Sequence, residues 1–164
     1  MEILSGKQIE QKINRLAIEI VENNFEAKEI ILAGINNNGL KFAKLLEKQL
    51  LRISDKAITM VNIKLNPANP LSAEIDMSVE SKVVKNKPVI VVDDVANTGR
   101  TIFFAFKPFL EVLPKKMEVA VLIDRKHKSF PVKVDYVGLS LATTMKDNIS
   151  VTLTPISKAK VALD

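Results

Sequence analysis

Hydrophobic positions fall into two rhythms along this chain. After Ser5, the residues Ile9, Ile13, Leu16, Ala17, Ile20 and Val21 recur at three- and four-residue spacing. That spacing predicts an amphipathic helix with Ser5 as its N-cap, closed by Asn23-Asn24. Glu29-Ile30-Ile31-Leu32-Ala33-Gly34-Ile35 is short, apolar and β-branched enough to predict a buried strand. Asn36-Asn37-Asn38-Gly39 then predicts a turn, and residues 40–51 a second helix with Leu40, Ala43, Leu46 and Leu50 on one face. Residues 56–65 alternate, with Ile58, Met60, Ile63 and Leu65 as the apolar members of a strand. From 66 to 87 the pattern disappears. Pro67, Pro70, asparagines and scattered serines predict a long loop with a short strand near Val83-Val84.

The rhythm returns with Val89, Ile90, Val91 and Val92, four consecutive β-branched residues that predict a strand buried on both faces. A helical pattern spans 100–112, with Pro108 inside it to kink the helix or end it early. Residues 117–123 predict another buried strand, ending at Asp124-Arg125. Two more follow at 134–139 and 149–153, separated by a polar turn at Lys146-Asp147-Asn148. Strands alternating with helices imply an α/β fold, a parallel twisted sheet flanked by helices, with the 89–92 strand near its centre. Ligands bind such sheets at the carboxyl ends of the strands. That rim gathers the 35–39 loop, the 93–101 loop and the residues after Ile123.

Composition narrows the picture. The chain has 164 residues, 47% of them hydrophobic, enough for one domain spanning 1–164. With no Cys there is neither a disulfide framework nor a thiolate metal site. No apolar run approaches a membrane span, and the first residues lack the apolar core of a signal peptide, so a cytoplasmic location is expected. A net charge of +5 favours anionic ligands without implying nucleic acid.

The chemistry concentrates in Asp93-Asp94-Val95-Ala96-Asn97-Thr98-Gly99-Arg100-Thr101, directly after the central strand. A strand, polar loop and helix in that order bring backbone N–H groups and a positive dipole end to one point, which is an anion site. Thr98 and Thr101 can add hydroxyl donors, and Gly99 lets the backbone close around a phosphate. Carboxylates cannot bind a phosphate themselves, so Asp93 and Asp94 call for sugar hydroxyls or a metal on the same ligand. A single aspartate would suffice to cap the helix; two followed by Thr-Gly-Arg-Thr exceed that need. Phosphate plus vicinal diol describes a ribose 5-phosphate.

The 88–101 stretch resembles the signature of the type I phosphoribosyltransferases, which bind 5-phosphoribosyl-1-pyrophosphate (PRPP). Residues 119–138 narrow the likeness to the pyrimidine-operon regulatory (PyrR) family, whose members are also uracil phosphoribosyltransferases. The first helix and the 33–39 stretch are similar too. The resemblance implies that Asp93 and Asp94 are catalytic and lie on the ribose, with 93–101 binding PRPP. It implies that pyrophosphate leaves toward Asn36, Asn37, Asn38 and Gly39, and that the base sits near Leu139, Ser140, Leu141, Ala142 and Thr143. Mg²⁺ would arrive on PRPP, with no direct protein ligands. A homodimer or higher oligomer is implied, and RNA contacts would fall at Arg15, His127, Lys128 and Lys133.

The departures matter as much. Where the family carries Lys-Thr-Arg in its pyrophosphate loop, this chain has Asn36, Asn37 and Asn38. The 66–87 stretch has no Arg and is shorter than the family's hood loop, and Leu113 replaces another family Arg. Each such charge lost typically costs a factor of about a hundred or more in rate. Asn14, Ile18 and Leu139 stand where the family has Thr, His and Lys for RNA. Asn97 occupies a position where purine enzymes have an Asp acting as a base, and an amide cannot accept a proton near neutrality. Two functions follow: a phosphoribosyltransferase acting on uracil, or a regulator that senses PRPP or a nucleotide, with catalysis weak or absent and RNA as a partner.

Overall fold

The run at Val89, Ile90, Val91 and Val92 has no exposed surface in the computed structural model, which describes all 164 residues. It forms the middle of β5 (Pro88–Ala96), flanked by β2 (Glu29–Ile35) and β6 (Lys116–Arg125), both parallel to it. Val89 and Val91 face one hydrophobic cluster, Ile90 and Val92 the other. Strand β3 (Ala57–Lys64) continues the parallel sheet beyond β2, and β7 (Tyr136–Leu141) continues it beyond β6. The two-residue β4 (Asp76–Met77) adds an antiparallel edge, giving the order β4-β3-β2-β5-β6-β7. The central position expected for β5 is borne out.

Helix α1 (Gly6–Asn23) begins at the expected cap. Ser5 Oγ accepts from Gln8 N while Gln8 Oε1 accepts from Ser5 N, a reciprocal capping box. Its buried residues are Ile9, Ile13, Leu16, Ala17 and Ile20, the stripe read from spacing. Helix α2 (Asn36–Ile53) starts earlier than expected: the asparagines form its first turn instead of preceding it. Asn36 takes the left-handed region (φ 51°), held by Asn62 Nδ2 donating to its carbonyl and by its own Oδ1 accepting from Leu65 N. Phe42, not Leu40, joins Ala43, Leu46 and Leu50 in the core. Helices α1 and α2 cover one face of the sheet.

The other face is covered by α3 (Arg100–Ala105), a 3₁₀ turn at Lys107–Glu111, and the long loop, which contributes Ile75 and Val84. Pro108 sits in the 3₁₀ turn, so the helix stops at six residues instead of reaching 112. The strand expected near Val83-Val84 is instead a 3₁₀ turn (Ser81–Val83). Val83 N and Val84 N bond the carbonyls of Glu80 and Ser81, which removes the need for a strand partner. Strand β7 begins at Tyr136 rather than 134, since the Asp135 carboxylate takes the Val119 N–H.

A second sheet was not expected. β1 (Glu2–Ser5), β9 (Lys160–Leu163) and β8 (Ile149–Thr152) pair antiparallel in the order β1-β9-β8. It brings Leu4, Leu153 and Val161 into the core beside α1. No helix is long and apolar enough to cross a membrane.

Gly39 sets how closely α2 approaches β5, since a Cβ there would stand 2.6 Å from Val92 O. Gly39→Ala is expected to destabilise by about 1–3 kcal/mol through forced separation of helix and strand. A urea midpoint shift at unchanged slope would show it.

Candidate active site

Asp93 and Asp94 end the buried part of β5 at the carboxyl rim of the sheet. Asp93 is buried, and its Oδ1 accepts from Asp94 N at 2.9 Å. Asp94 Oδ1 accepts from Val95 N at 3.0 Å, and Asp94 Oδ2 accepts from Asn38 Nδ2 at 3.2 Å. Burial pushes the Asp93 carboxyl well above the usual carboxylate range, and the charge of Asp94 adds to the effect. The two carboxyls stand side by side at the rim, where their oxygens can meet neighbouring hydroxyls.

The two carboxylates belong to a cleft of about 410 Å³ lined by Ile35, Asn36, Asn37, Asn38, Pro67 and Thr101 as well. A smaller hollow of about 40 Å³ opens beside it, formed by 95–99 with Asp93, Thr101 and Ile102. Around that hollow the backbone N–H groups of Asn97, Thr98 and Gly99 have no acceptor within the protein. Three adjacent free donors suit an anion with several oxygens. Gly99 has φ 85°, and a Cβ there would press on Val132 and on the Lys128 stem. Because α3 has only six residues, the loop's own N–H groups, more than a helix dipole, would provide the attraction.

The three asparagines have unequal roles. Asn36 is committed to backbone structure, Asn38 is bonded to Asp94, and Asn37 has no protein partner. Arg100 points away from the hollow and donates to Pro67 O at 2.6 Å, which pins the start of the 66–87 loop to the cleft. None of the eight residues lining the larger cleft is a cation.

A family model for the phosphoribosyl transferase domain matches residues 1–155. The chain is 35% identical over 164 residues to the Bifunctional protein PyrR of Alkaliphilus metalliredigens, covering 95% of this chain and 90% of that one. With the Bifunctional protein PyrR of Streptococcus pneumoniae it shares 31% identity over 157 residues, covering 94% and 91%. The chain belongs to the phosphoribosyltransferase family. Solved structures agree at the level of fold. A Bacillus anthracis hypoxanthine-guanine phosphoribosyltransferase superposes with a TM-score of 0.71 at 23% identity, covering 85% of this chain and 81% of that one. A Trypanosoma cruzi hypoxanthine phosphoribosyltransferase in complex with the product IMP gives 0.73 at 17% identity, covering 85% and 79%. The family likeness read from the sequence is thus borne out.

In this phosphoribosyltransferase the residues expected near the base, Leu139, Ser140 and Leu141, are the last three of β7, and Ala142 follows them. They share the rim through pairing of Ile123 with Leu139, Asp124 with Ser140 and Arg125 with Leu141, but they do not line the cleft that holds Asp93 and Asp94. The four residues expected to meet RNA form no shared cluster of bonds. Arg15 donates to the carbonyls of Val137 and Gly138 and pairs with Glu19; Lys128 pairs with Asp124, and Lys133 with Asp135. His127 makes no hydrogen bond or ion pair. Lys128 lies against Gly99, on the edge of the 95–99 hollow.

Two residues were not foreseen. Pro67 enters the cleft because Arg100 holds its carbonyl. Arg125 is the only buried cation in the chain, and its position directly after the apolar run 119–123 and Asp124, on the ligand rim, was the available signal. No cluster of three or more acidic, His or Cys side chains could chelate a metal. The hard oxygens of Asp93 and Asp94 do fit Mg²⁺ held mainly by substrate phosphates.

Proposed function

We propose that this phosphoribosyltransferase moves the phosphoribosyl group of PRPP to uracil. The observation that carries the reading is the juxtaposition at the end of β5: free N–H groups at Asn97, Thr98 and Gly99 next to the adjacent carboxyls of Asp93 and Asp94. The 5-phosphate accepts from those N–H groups and from the Thr98 and Thr101 hydroxyls, which fixes the reacting carbon in place. Asp93 and Asp94 meet the ribose hydroxyls, and carboxylate charge there favours the positive charge that grows on the ring as the bond to pyrophosphate breaks. A ring nitrogen of the base forms the new bond to C1 and gives up its proton to solvent water, while pyrophosphate departs with the bonding electrons toward Asn37 and Asn38. Mg²⁺ bound to PRPP supplies charge to the leaving group.

Uracil is favoured over a purine by the relatives named PyrR and by Asn97. The Asn97 Oδ1 already accepts from Arg125 at 3.0 Å and cannot serve as a base. A second reading, a PRPP-sensing regulator, draws on the absence of any cation among the cleft residues. Titration calorimetry with PRPP and Mg²⁺ on the native chain and on Asp93→Asn/Asp94→Asn tests the shared site. Binding should weaken by about tenfold or more, the loss of two charge-assisted hydrogen bonds. Equal binding by both proteins would remove the carboxylates from the ribose.

A further inference from the structure

Arg125 ends β6 with 7% of its surface exposed, and no carboxylate lies within ion-pair distance of it. A buried guanidinium without an anion is costly, and it persists only where its donors are well used. Here they reach two loops at once. Nη1 donates to Asn97 Oδ1 at 3.0 Å, in the phosphoribosyl loop. Nε donates to Thr143 Oγ1 at 2.6 Å and Nη2 to Thr144 O at 2.7 Å, both just after β7. The far side of that second loop is braced in turn, since the Asp147 carboxylate accepts from Thr144 N at 2.7 Å and from Thr144 Oγ1 at 2.9 Å.

A guanidinium can only donate, so Asn97 must present its oxygen to it, which fixes the amide orientation. We propose that Arg125 is a positioning residue that ties the 142–148 loop to the phosphoribosyl loop, so that filling the phosphate hollow orders the base side of the rim. The proposal rests on the phosphate reading above. A phosphate on the N–H groups of Asn97, Thr98 and Gly99 stiffens the loop that carries Asn97, and the fork passes that constraint to Thr143 and Thr144. The charge of Arg125, which after the Thr144 hydrogen bonds also helps hold the Asp147 carboxyl below its ordinary value, has no carboxylate in direct contact and so attracts the incoming anion. A lysine could not replace it, because a single ammonium cannot span three acceptors in fixed directions.

Hydrogen exchange read by mass spectrometry, with and without saturating ribose 5-phosphate, tests the coupling. In the native chain exchange should slow in both 97–101 and 142–148. In Arg125→Met it should slow in 97–101 alone, with the slowing at 142–148 reduced about fivefold or more. Thr143→Val removes one acceptor and leaves the buried charge in place, so it covers the case in which Arg125→Met fails to fold. It should reduce the slowing at 142–148 in the same direction. In steady-state assays both variants should raise KM for the base more than KM for PRPP, a split that general loosening of the fold would not produce. Undiminished slowing at 142–148 in a folded variant would overturn the coupling. No slowing at 97–101 in the native chain would overturn the phosphate reading itself, and the coupling with it.

Discussion

Asn37→Lys is expected to raise kcat for PRPP and uracil by about tenfold or more, with a smaller change in KM. The cleft that holds Asp93 and Asp94 is lined by no cation; Lys64 lines only the adjoining cavity that shares Asn36 and Asn37 with it. A well-placed charge acting mainly on the transition state is worth on the order of 2 kcal/mol, and it appears in kcat because the leaving-group charge grows there. Of the three asparagines only Asn37 can be exchanged freely, being exposed and without a protein partner. Asn38→Arg should give less, because Asp94, 3.2 Å from the Asn38 amide, would capture the guanidinium. Asn36→Lys should lower stability instead. It would force a lysine into a left-handed backbone (φ 51°) and leave Leu65 N without its acceptor. Steady-state kinetics on the three single variants checks the ranking. Native turnover as fast as Asn37→Lys would mean that leaving-group charge does not limit the reaction.

Asp93→Asn should lower kcat about a hundredfold or more and at the same time raise the melting temperature of the ligand-free protein. The sign follows from linkage. Burial, with the Asp94 charge in second place, holds the Asp93 carboxyl well above its ordinary 3.8 in the folded state. Between the unfolded and folded values the native state binds more protons, so stability is fully present at low pH and is lost as pH rises through that window. An amide has no proton to lose, and its carbonyl still accepts from Asp94 N. The gain in melting temperature over the native chain should therefore grow as pH rises above the ordinary carboxylate value and level off beyond the folded one. Differential scanning calorimetry of both proteins across that range checks it. A gain independent of pH would show that Asp93 is not held neutral.

The parts of the fold that were legible in the sequence are those whose burial pattern is long enough to repeat. The stripe of α1, the apolar β2 and the doubly buried β5 each show one period over most of their length. The small sheet was invisible for the opposite reason. β1 and β9 have four residues each, and they are defined by pairing between the two ends of the chain, as in Met1 N donating to Leu163 O. No local pattern encodes a partner 162 positions away.

At the site, 93–101 was legible because carboxylates, Gly and Thr lie within nine consecutive residues. The asparagine loop was less so, since contacts far along the chain divide its roles. Asn62 and Leu65 fix Asn36, and Asp94 holds Asn38. Arg125 was hidden because its three acceptors come from two other loops, and only the fold brings Asn97, Thr143 and Thr144 together. Of the residues that the resemblance places toward RNA, Arg15, Lys128 and Lys133 each have an acidic neighbour within ion-pair reach, a pairing that only the fold reveals.

Turnover of radiolabelled PRPP with Mg²⁺ against uracil, cytosine, orotate, hypoxanthine and guanine tests the central claim most directly. A uracil phosphoribosyltransferase produces pyrophosphate and labelled uridine 5-monophosphate with uracil well ahead of the other bases, and Asp93→Asn slows the reaction about a hundredfold or more. Faster turnover of hypoxanthine or guanine, or no product from any base while PRPP still binds, would contradict it.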